Sequence, residues 1–456
     1  MKPQKTKIAF SFFKKLFLMS AIFLAVNILF AQSSVAQGTK KAKVFRAAVV
    51  KVDITPADSQ QLLGYRARKS IGIHDRIYHR IVALDDGTTQ FYLVSTELCV
   101  ISPSEYDHVA AMVKNQLGIE PVNFLWTLTH THSAPEVGPA GLGELFLGDR
   151  FKHKFDEVYR DMLEQKLVDG IAEARKNLKP AKLGVGWGFA MANINRRAID
   201  VEGKASLGLN PYGPTDRRIG IIRIDNADGT PMTLIANYAI HGTVLGQNNL
   251  LISGDAPGVV SEYVQEKTGV PCVFINGAEG NMAPIYTVYD NPRAGHMSEF
   301  RVLLGDRILD AYGKISATSP EVTLRSGSII VETPRKEGMG WTTDLVNYNR
   351  TTPSGQHIVK LPVRFLKINE DIAIWSAPLE LFCEVSNEIR DRSPFAYTFY
   401  FGLGNGWMGY LLNEAEYKYG GYEPAVSPYT PRAAQDLTEG VLNYLQGQMR
   451  GAQVNK

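Results

Sequence analysis

Short apolar runs that each close in a polar loop recur along this chain from about residue 45 to its end. Ala47 to Asp53 and Ile81 to Glu97 read as strands, the second broken by the turn Asp85-Asp86-Gly87. Ser102-Pro103-Ser104-Glu105 supplies a cap serine, a first-turn proline and an acid three positions after the cap. Val109, Met112, Val113 and Leu117 follow at helical spacing, which predicts a helix start. Val122 to Leu128 is a short apolar strand running straight into Thr129-His130-Thr131-His132-Ser133. An amphipathic helix is predicted over 155–178. A hairpin follows over Ile219 to Ile240, turned at Asn226-Ala227-Asp228-Gly229, with His241 directly after it.

Asp255-Ala256-Pro257 reads as the cap of a further helix, Pro271 to Ile275 as a strand, and Asn276 to Asn281 as a turn-rich loop. Residues 335–358, with Gly338, Gly340, Trp341 and Gly355, read as a long surface loop, either a cover for a site or a plain excursion. Ile372 to Ser376 is a strand, and Ala377-Pro378-Leu379-Glu380 starts a helix to about Arg390; a last helix runs from Pro431 to Met449. Four times, polar chemistry stands at a strand's exit. The alternation predicts a mixed α/β fold, a β-sheet core flanked by helices. With no internal repeat, low-complexity tract or linker, residues 37–456 read as a single domain.

The first 36 residues are different in kind. Lys2, Lys5, Lys7, Lys14 and Lys15 precede an apolar run from Leu16 to Ala31, and small residues follow at Ser34-Val35-Ala36. This is the order of a secretory signal peptide, cut after Ala36 or Ala31. The run is shorter than the roughly 20 residues of a spanning helix. The chain is therefore expected to be exported, to the periplasm or beyond, with no transmembrane segment in its mature part.

Removing that leader changes the charge picture. The formal net charge of +3 becomes −2, with 44 basic against 46 acidic residues, and no dense basic stripe remains to favour nucleic acid. Cys99, Cys272 and Cys383 lie far apart in mostly apolar settings, so no disulfide framework is expected.

His130 and His132 are two apart, so in extended chain they face one side and could address one metal ion; histidines that merely satisfy hydrogen bonds at a loop end are the plainer alternative. His241 and Glu380 add N and O donors of the kind zinc accepts, although many histidines and glutamates stand at strand ends. The tyrosine-rich segment from Tyr410 to Tyr422 is compatible with surface, core or site.

Taken together, Val52-Asp53-Ile54-Thr55-Pro56, Gly72-Ile73-His74, Thr129-His130-Thr131-His132-Ser133, Asn237-Tyr238-Ala239-Ile240-His241-Gly242-Thr243, Ile252-Ser253-Gly254-Asp255 and Pro378-Leu379-Glu380 resemble the catalytic domain of the neutral, or alkaline non-lysosomal, ceramidases. The resemblance implies one zinc ion per chain held by His130, His241, Glu380 and Tyr410. It also implies His132 as a proton carrier beside the metal, Tyr422 as an oxyanion donor and Arg196 near the substrate, a surface salt bridge being the alternative for Arg196. Tyr422 follows Tyr410 by the family's own spacing of 12. The implied activity is hydrolysis of an N-acyl amide bond, in ceramide or a related sphingolipid, by attack of zinc-bound water.

The sequence departs from the family in two places. Gly280-Asn281-Met282-Ala283-Pro284 stands where the family carries Gly-Asp-Val-Ser-Pro, so an alanine replaces a serine that has been given a catalytic part. Glu279 beside it is a candidate acid or base, or a solvent-facing loop residue. The chain also ends about 30 residues after Tyr422, without the family's C-terminal immunoglobulin-like domain. Two other readings therefore stay open: a zinc hydrolase of a non-ceramide ester, amide or glycoconjugate, and a non-catalytic, zinc-stabilised binding protein.

Overall fold

In the strands Tyr78–Asp85 and Gln90–Thr96, successive residues face opposite sides, and both sides are apolar. Ile81, Ala83, Tyr92 and Val94 belong to one core, whereas Val82, Leu84, Phe91 and Leu93 belong to another. Burying each such large side chain is worth about 1.5–3 kcal/mol, so a sheet with two apolar faces must be covered twice. The architecture follows from that demand. The computed structural model describes residues 44–286 and 296–454; residues 1–36, expected from the sequence to be a signal peptide, lie outside them.

Among the described residues, eight strands form the larger sheet. Their order is Cys272–Asn276, Pro231–Tyr238, Arg218–Asn226, Lys179–Phe189, Arg46–Asp53, Tyr78–Asp85, Gln90–Thr96 and Phe124–Leu128. One face packs on a smaller sheet through Leu366, Ile368, Ile374 and Phe401. The helices Pro103–Leu117, Glu157–Lys176 and Asp255–Thr268 cover the outer faces through Val109, Leu163, Leu167, Val260 and Val264. The smaller sheet, built from Leu324–Pro334, His357–Ile368, Ile372–Ser376 and Tyr397–Phe401, packs its far side on the helices Cys383–Arg392 and Ala433–Val454. The layers run helix, sheet, sheet, helix.

Within these two sheets, neighbouring strands are mostly antiparallel, with three parallel steps among the described residues. These join Gln90–Thr96 to Phe124–Leu128, Pro231–Tyr238 to Cys272–Asn276, and Ile372–Ser376 to Tyr397–Phe401. A parallel step needs a crossover, and each is made by one helix: Pro103–Leu117, Asp255–Thr268 or Cys383–Arg392. His130, His241 and Glu380 each lie a few residues past a strand of a different crossover unit.

Several local expectations are corrected. Asp255 is not a helix cap: it has a φ of 53°, and its carboxylate accepts from the backbone N–H groups of Val244 and Leu245, bracing the loop after His241. Glu380 does not begin a helix. Glu380–Leu381 is a two-residue strand beside Tyr410–Leu411, because the backbone there is claimed by a partner strand, and the helix starts at Cys383. Residues 335–358 are more ordered than a loop excursion. They hold a 3₁₀ segment, Thr343–Tyr348, and the strand Asn349–Thr351, and Asp344 accepts from the Ser102 and Ser104 hydroxyls at 2.9 Å each.

The cap motif before Pro103 has a cost inside the fold. Ser102 accepts from the Ser104 backbone as a cap should, but Glu105 in the first turn is only 2% exposed and shares a hydrogen bond with Glu164 of the helix Glu157–Lys176. Burial first, and the Glu164 carboxylate second, push Glu105 well above its ordinary value of 4.5, so the folded state retains a proton that the unfolded chain releases. The stability tied to that proton is complete below pH 4.5 and declines as the pH rises toward the raised folded value. Glu105→Gln keeps a donor toward Glu164 and needs no proton. It is expected to stabilise the protein by roughly 1–2 kcal/mol at pH 8, with the gain disappearing near pH 4.5, in urea unfolding curves.

Candidate metal centre and adjoining cavity

The two histidine loops are stitched together through their backbones. Gly242 N–H donates to the His130 carbonyl at 3.1 Å, and His132 N–H donates to the Gly242 carbonyl at 2.8 Å, an isolated parallel bridge between Thr131 and Gly242. A Cβ on Gly242 would lie 2.6 Å from Thr131 Cα and 2.7 Å from the His130 carbonyl oxygen, so the His-Gly pair is a packing requirement. The Asn276 side chain spans the same junction. Its amide donates to the carbonyls of Thr129 and Ile240 and its oxygen accepts from Ile240 N–H. Gly280 brings in the third loop by donating to the Leu381 carbonyl at 2.9 Å, where a Cβ would meet the Glu380 carbonyl at 2.6 Å.

His130 leaves its strand in the left-handed region, with φ 63°, so it and His132 are not presented by extended chain. The turn brings them together differently: the rings stand edge-on at 87° with their Nε2 atoms 3.2 Å apart. His130 Nδ1 lies 3.0 Å from the Cys99 carbonyl, and His241 Nδ1 lies 3.0 Å from the Met282 carbonyl. A carbonyl only accepts, so each Nδ1 carries the hydrogen and each Nε2 presents its lone pair. Those two Nε2 atoms lie 3.2 and 3.1 Å from Glu380 Oε2, a buried oxygen with no hydrogen-bond donor of its own. The ligand atoms of His130, His241 and Glu380 all fall within 4.8 Å of one another.

Three buried lone pairs that face one another fit a cation between them. A proton is the alternative occupant: burial would lower His130, but the Glu380 carboxylate overrides it and holds the imidazole well above its usual value. Burial and the Arg196 charge press His241 down to about 3. Cys99, His130 and His132 also converge, but the His130 Nδ1 that faces Cys99 is already bonded to the Cys99 carbonyl. Glu380 Oε1 is oriented by Trp407, whose indole N–H donates to it at 2.8 Å. No sequence motif points to Trp407; its one signal is a glycine-rich run, Gly402 to Gly409, just ahead of Tyr410.

The parallel pairing of Glu380 with Tyr410 brings the tyrosine to the same centre. Arg196, 7% exposed and not a surface salt bridge, donates to Tyr410 Oη at 3.0 Å and to Glu423 Oε1 at 2.9 Å, and its Nη1 lies 2.7 Å from His241 Nε2, so a cation bound by that lone pair takes the place of this contact. Glu423 also accepts from Arg197 at 2.5 Å, and Arg197 donates to Glu416 at 2.7 Å. Nothing in the sequence singles out Glu423, because its partners lie more than two hundred residues away. The Tyr410 and Tyr422 rings meet edge-on at 5.8 Å.

A cavity of about 590 Å³, its solvent-open part included, is bordered by His130, His132, Glu380, Tyr410 and Tyr422. No residue of the 335–358 segment borders it, although Ser102, which does, donates to Asp344 of that segment. Ala283 does not border it either. Its backbone is paired with Ile194 and its side chain is buried, while Asn281 holds the helix after Glu380 through Cys383 N–H and Glu384. Glu279 is fully buried rather than solvent-facing. Neither carboxyl oxygen has a hydrogen-bond partner, and burial raises it to about 8.

The fold and the site define a four-layer α/β/β/α protein whose buried centre joins two histidines just past strand ends to a glutamate and a tyrosine on paired strands. This chain belongs to the neutral/alkaline non-lysosomal ceramidase family, whose N-terminal region matches residues 45–278. It is 30% identical over 224 residues to neutral ceramidase B of Dictyostelium discoideum, and 26% identical over 258 residues to neutral ceramidase of Pseudomonas aeruginosa. Those matches cover 47% and 53% of this chain but only 30% and 37% of the relatives, so the chain spans well under half of their length. The fold extends the likeness. A solved ceramidase complexed with C2 superposes with a TM-score of 0.72 at 18% identity, covering 90% of this chain and 76% of that one. The crystal structure of neutral ceramidase from Pseudomonas aeruginosa gives 0.69 at 19% identity, with 88% and 73% covered.

Glu423 is 1% exposed and neutralises two buried guanidinium groups at once. Glu423→Gln leaves Arg196 without its carboxylate partner and Arg197 with Glu416 alone, and is expected to destabilise the fold by about 3 kcal/mol in denaturant unfolding, several times the loss from an exposed pair such as Arg392→Gln.

Proposed function

We propose that this chain is a zinc-dependent hydrolase that cleaves an N-acyl amide bond, in ceramide or a related sphingolipid. The observation that carries the reading is the orphaned Glu380 Oε2 between two imidazole Nε2 atoms, in a chain of the ceramidase family. His130, His241, Glu380 and Tyr410 would hold the ion, with Trp407 and the Cys99 and Met282 carbonyls fixing the orientation of three of them. Zinc, when bound, supplies Lewis acidity and a water ionised near neutral pH, at a pKa of about 7.

The protein's own groups do the rest. His132, whose Nδ1 is buried without a partner and whose basicity is lowered by burial and by the neighbouring His130 and His241, moves a proton to the leaving nitrogen. Tyr422 keeps its hydroxyl hydrogen, since burial raises it to about 12, and donates to the carbonyl oxygen as negative charge gathers there. Arg196 orients Tyr410 through its hydroxyl. Ala283, with no hydroxyl, supplies neither a nucleophile nor a hydrogen bond.

Metal analysis of the purified chain is expected to find about one zinc per chain, with turnover of a fluorescent N-acylsphingosine. His130→Ala should lose both metal and turnover; full zinc occupancy in that variant would refute the ligand set. Trp407→Phe should keep the fold and weaken zinc binding by about 10–100-fold in chelator competition. The alanine at position 283 favours a second reading, a zinc hydrolase of some other amide or ester. Turnover confined to soluble amides and esters would select it.

We also place the protein outside the cytoplasm, on the strength of its lysine-rich, then apolar, then small-residue N-terminal sequence. N-terminal sequencing of the exported protein is expected to start at Gln37 or Gln32. Retention of Met1 in the cytoplasm would reject this.

A further inference from the structure

His130 and His241 each donate from Nδ1 to a backbone carbonyl, and that bond fixes the turn of the ring. His132 has no such anchor. Its Nδ1 is buried with no hydrogen-bond partner among the described residues. Its Nε2 lies 3.2 Å from His130 Nε2, whose lone pair is committed to the metal in the proposed function. Rotation of an imidazole about its outer bond is soft, with two broad orientations. What holds this ring in one of them is therefore packing.

The packing comes from a short hairpin whose strands, Gln61–Leu62 and Arg68–Lys69, pair antiparallel. It is tied to the chain just past His132. Leu63 N–H donates to the Ala134 carbonyl at 3.1 Å, and Glu136 N–H donates to the Gln61 carbonyl at 2.9 Å. This lays Gly64 directly against the imidazole. Gly64 has a φ of 105°, and a Cβ there would come within 2.4 Å of His132 Cγ and 2.6 Å of its Nδ1. The Tyr65 ring meets the imidazole at 65°, with centres 4.8 Å apart. Arg68, 6% exposed, binds the hairpin to the histidine: its guanidinium lies 4.8 Å from the Tyr65 ring centre and donates to the carbonyls of Leu63 at 3.2 Å, His132 at 2.6 Å and Asn249 at 2.7 Å.

We infer that Gly64 and Tyr65 are positioning residues for proton transfer, holding the His132 ring with Nδ1 against Gly64 and Nε2 toward the metal ligands. This rests on the amide-hydrolase reading. In that reaction one water is consumed. Its oxygen bonds to the carbonyl carbon, the C–N bond breaks, and the proton the water loses reaches the leaving nitrogen by way of His132 Nε2. An alkylamine anion is too basic to depart, so amide cleavage waits on that proton; a nitrophenolate departs without one. Tyr65 is not among the residues that border the cavity, so it acts through His132.

The two kinds of leaving group supply the test. Hydrolysis of N-decanoylethanolamine and of p-nitrophenyl decanoate is measured on the zinc-loaded full chain and on Tyr65→Leu, Tyr65→Phe and Gly64→Ala, each checked for zinc content and melting temperature. Tyr65→Leu is expected to lose about 10–100-fold in kcat on the amide at a nearly unchanged KM, as a misplaced proton carrier does, and far less on the ester. Gly64→Ala, which displaces the ring from the other residue of the pair, should show the same split. Tyr65→Phe should keep most of the amide rate. Equal losses on amide and ester, or no loss on the amide, overturn the inference. Crystal structures of the zinc-loaded chain and of Tyr65→Leu read the same point without turnover: the His132 ring is expected to turn or to split between two orientations in the variant. If the unaltered chain cleaves no amide while the ring turns in Tyr65→Leu, the hydrolase reading fails and the hold on His132 stands. Amide cleavage beside an unmoved ring removes the inference and leaves the hydrolase reading in place.

Discussion

The whole site hangs on backbone-to-backbone contact between loops that leave different strands. Gly242 against Thr131 and Gly280 against Glu380 bring peptide groups closer than any side chain would permit. The hydrogen bonds made there set where the imidazole and carboxylate side chains begin. Asn276 ties both histidine loops to the edge strand Cys272–Asn276, so the register of the larger sheet is transmitted directly to the ligand positions. Side-chain orientation comes afterwards, from acceptors that dictate tautomers and from one indole N–H.

Around this neutral framework the protein arranges charge in compensating pairs. Arg196, Glu423, Arg197 and Glu416 alternate in sign through the interior. Glu380 is left with a second oxygen that no donor among the described residues satisfies. That oxygen faces the Nε2 atoms of His130 and His241 at the border of the cavity, where it is suited to a metal ion.

Much of the strand and helix order is legible in the sequence because apolar runs with two buried faces, cap motifs and the Asn-Ala-Asp-Gly turn are local signals. The exits of those strands point to His130 and His241, and the 12-residue interval points from Tyr410 to Tyr422. What stays hidden depends on contacts across the chain. Trp407 and Glu423 act through partners no local pattern reveals, the helix after Glu380 starts late because Tyr410–Leu411 claims its backbone, and Glu279 is buried where loop composition suggests solvent. His130 reads as extended chain, yet it turns into the left-handed region, a choice imposed by the Gly242 bridge and not by its own neighbours in sequence.

The ligand loops are separated by more than a hundred residues each, at positions 130, 241 and 380, with Tyr410 later still. Closing intervals of that length is entropically demanding, and the closure depends on both sheets having paired. During synthesis, nearly nine-tenths of the chain must emerge before the donor set is complete. The centre is therefore a late assembly, and any ion it takes comes from the compartment that the finished chain occupies.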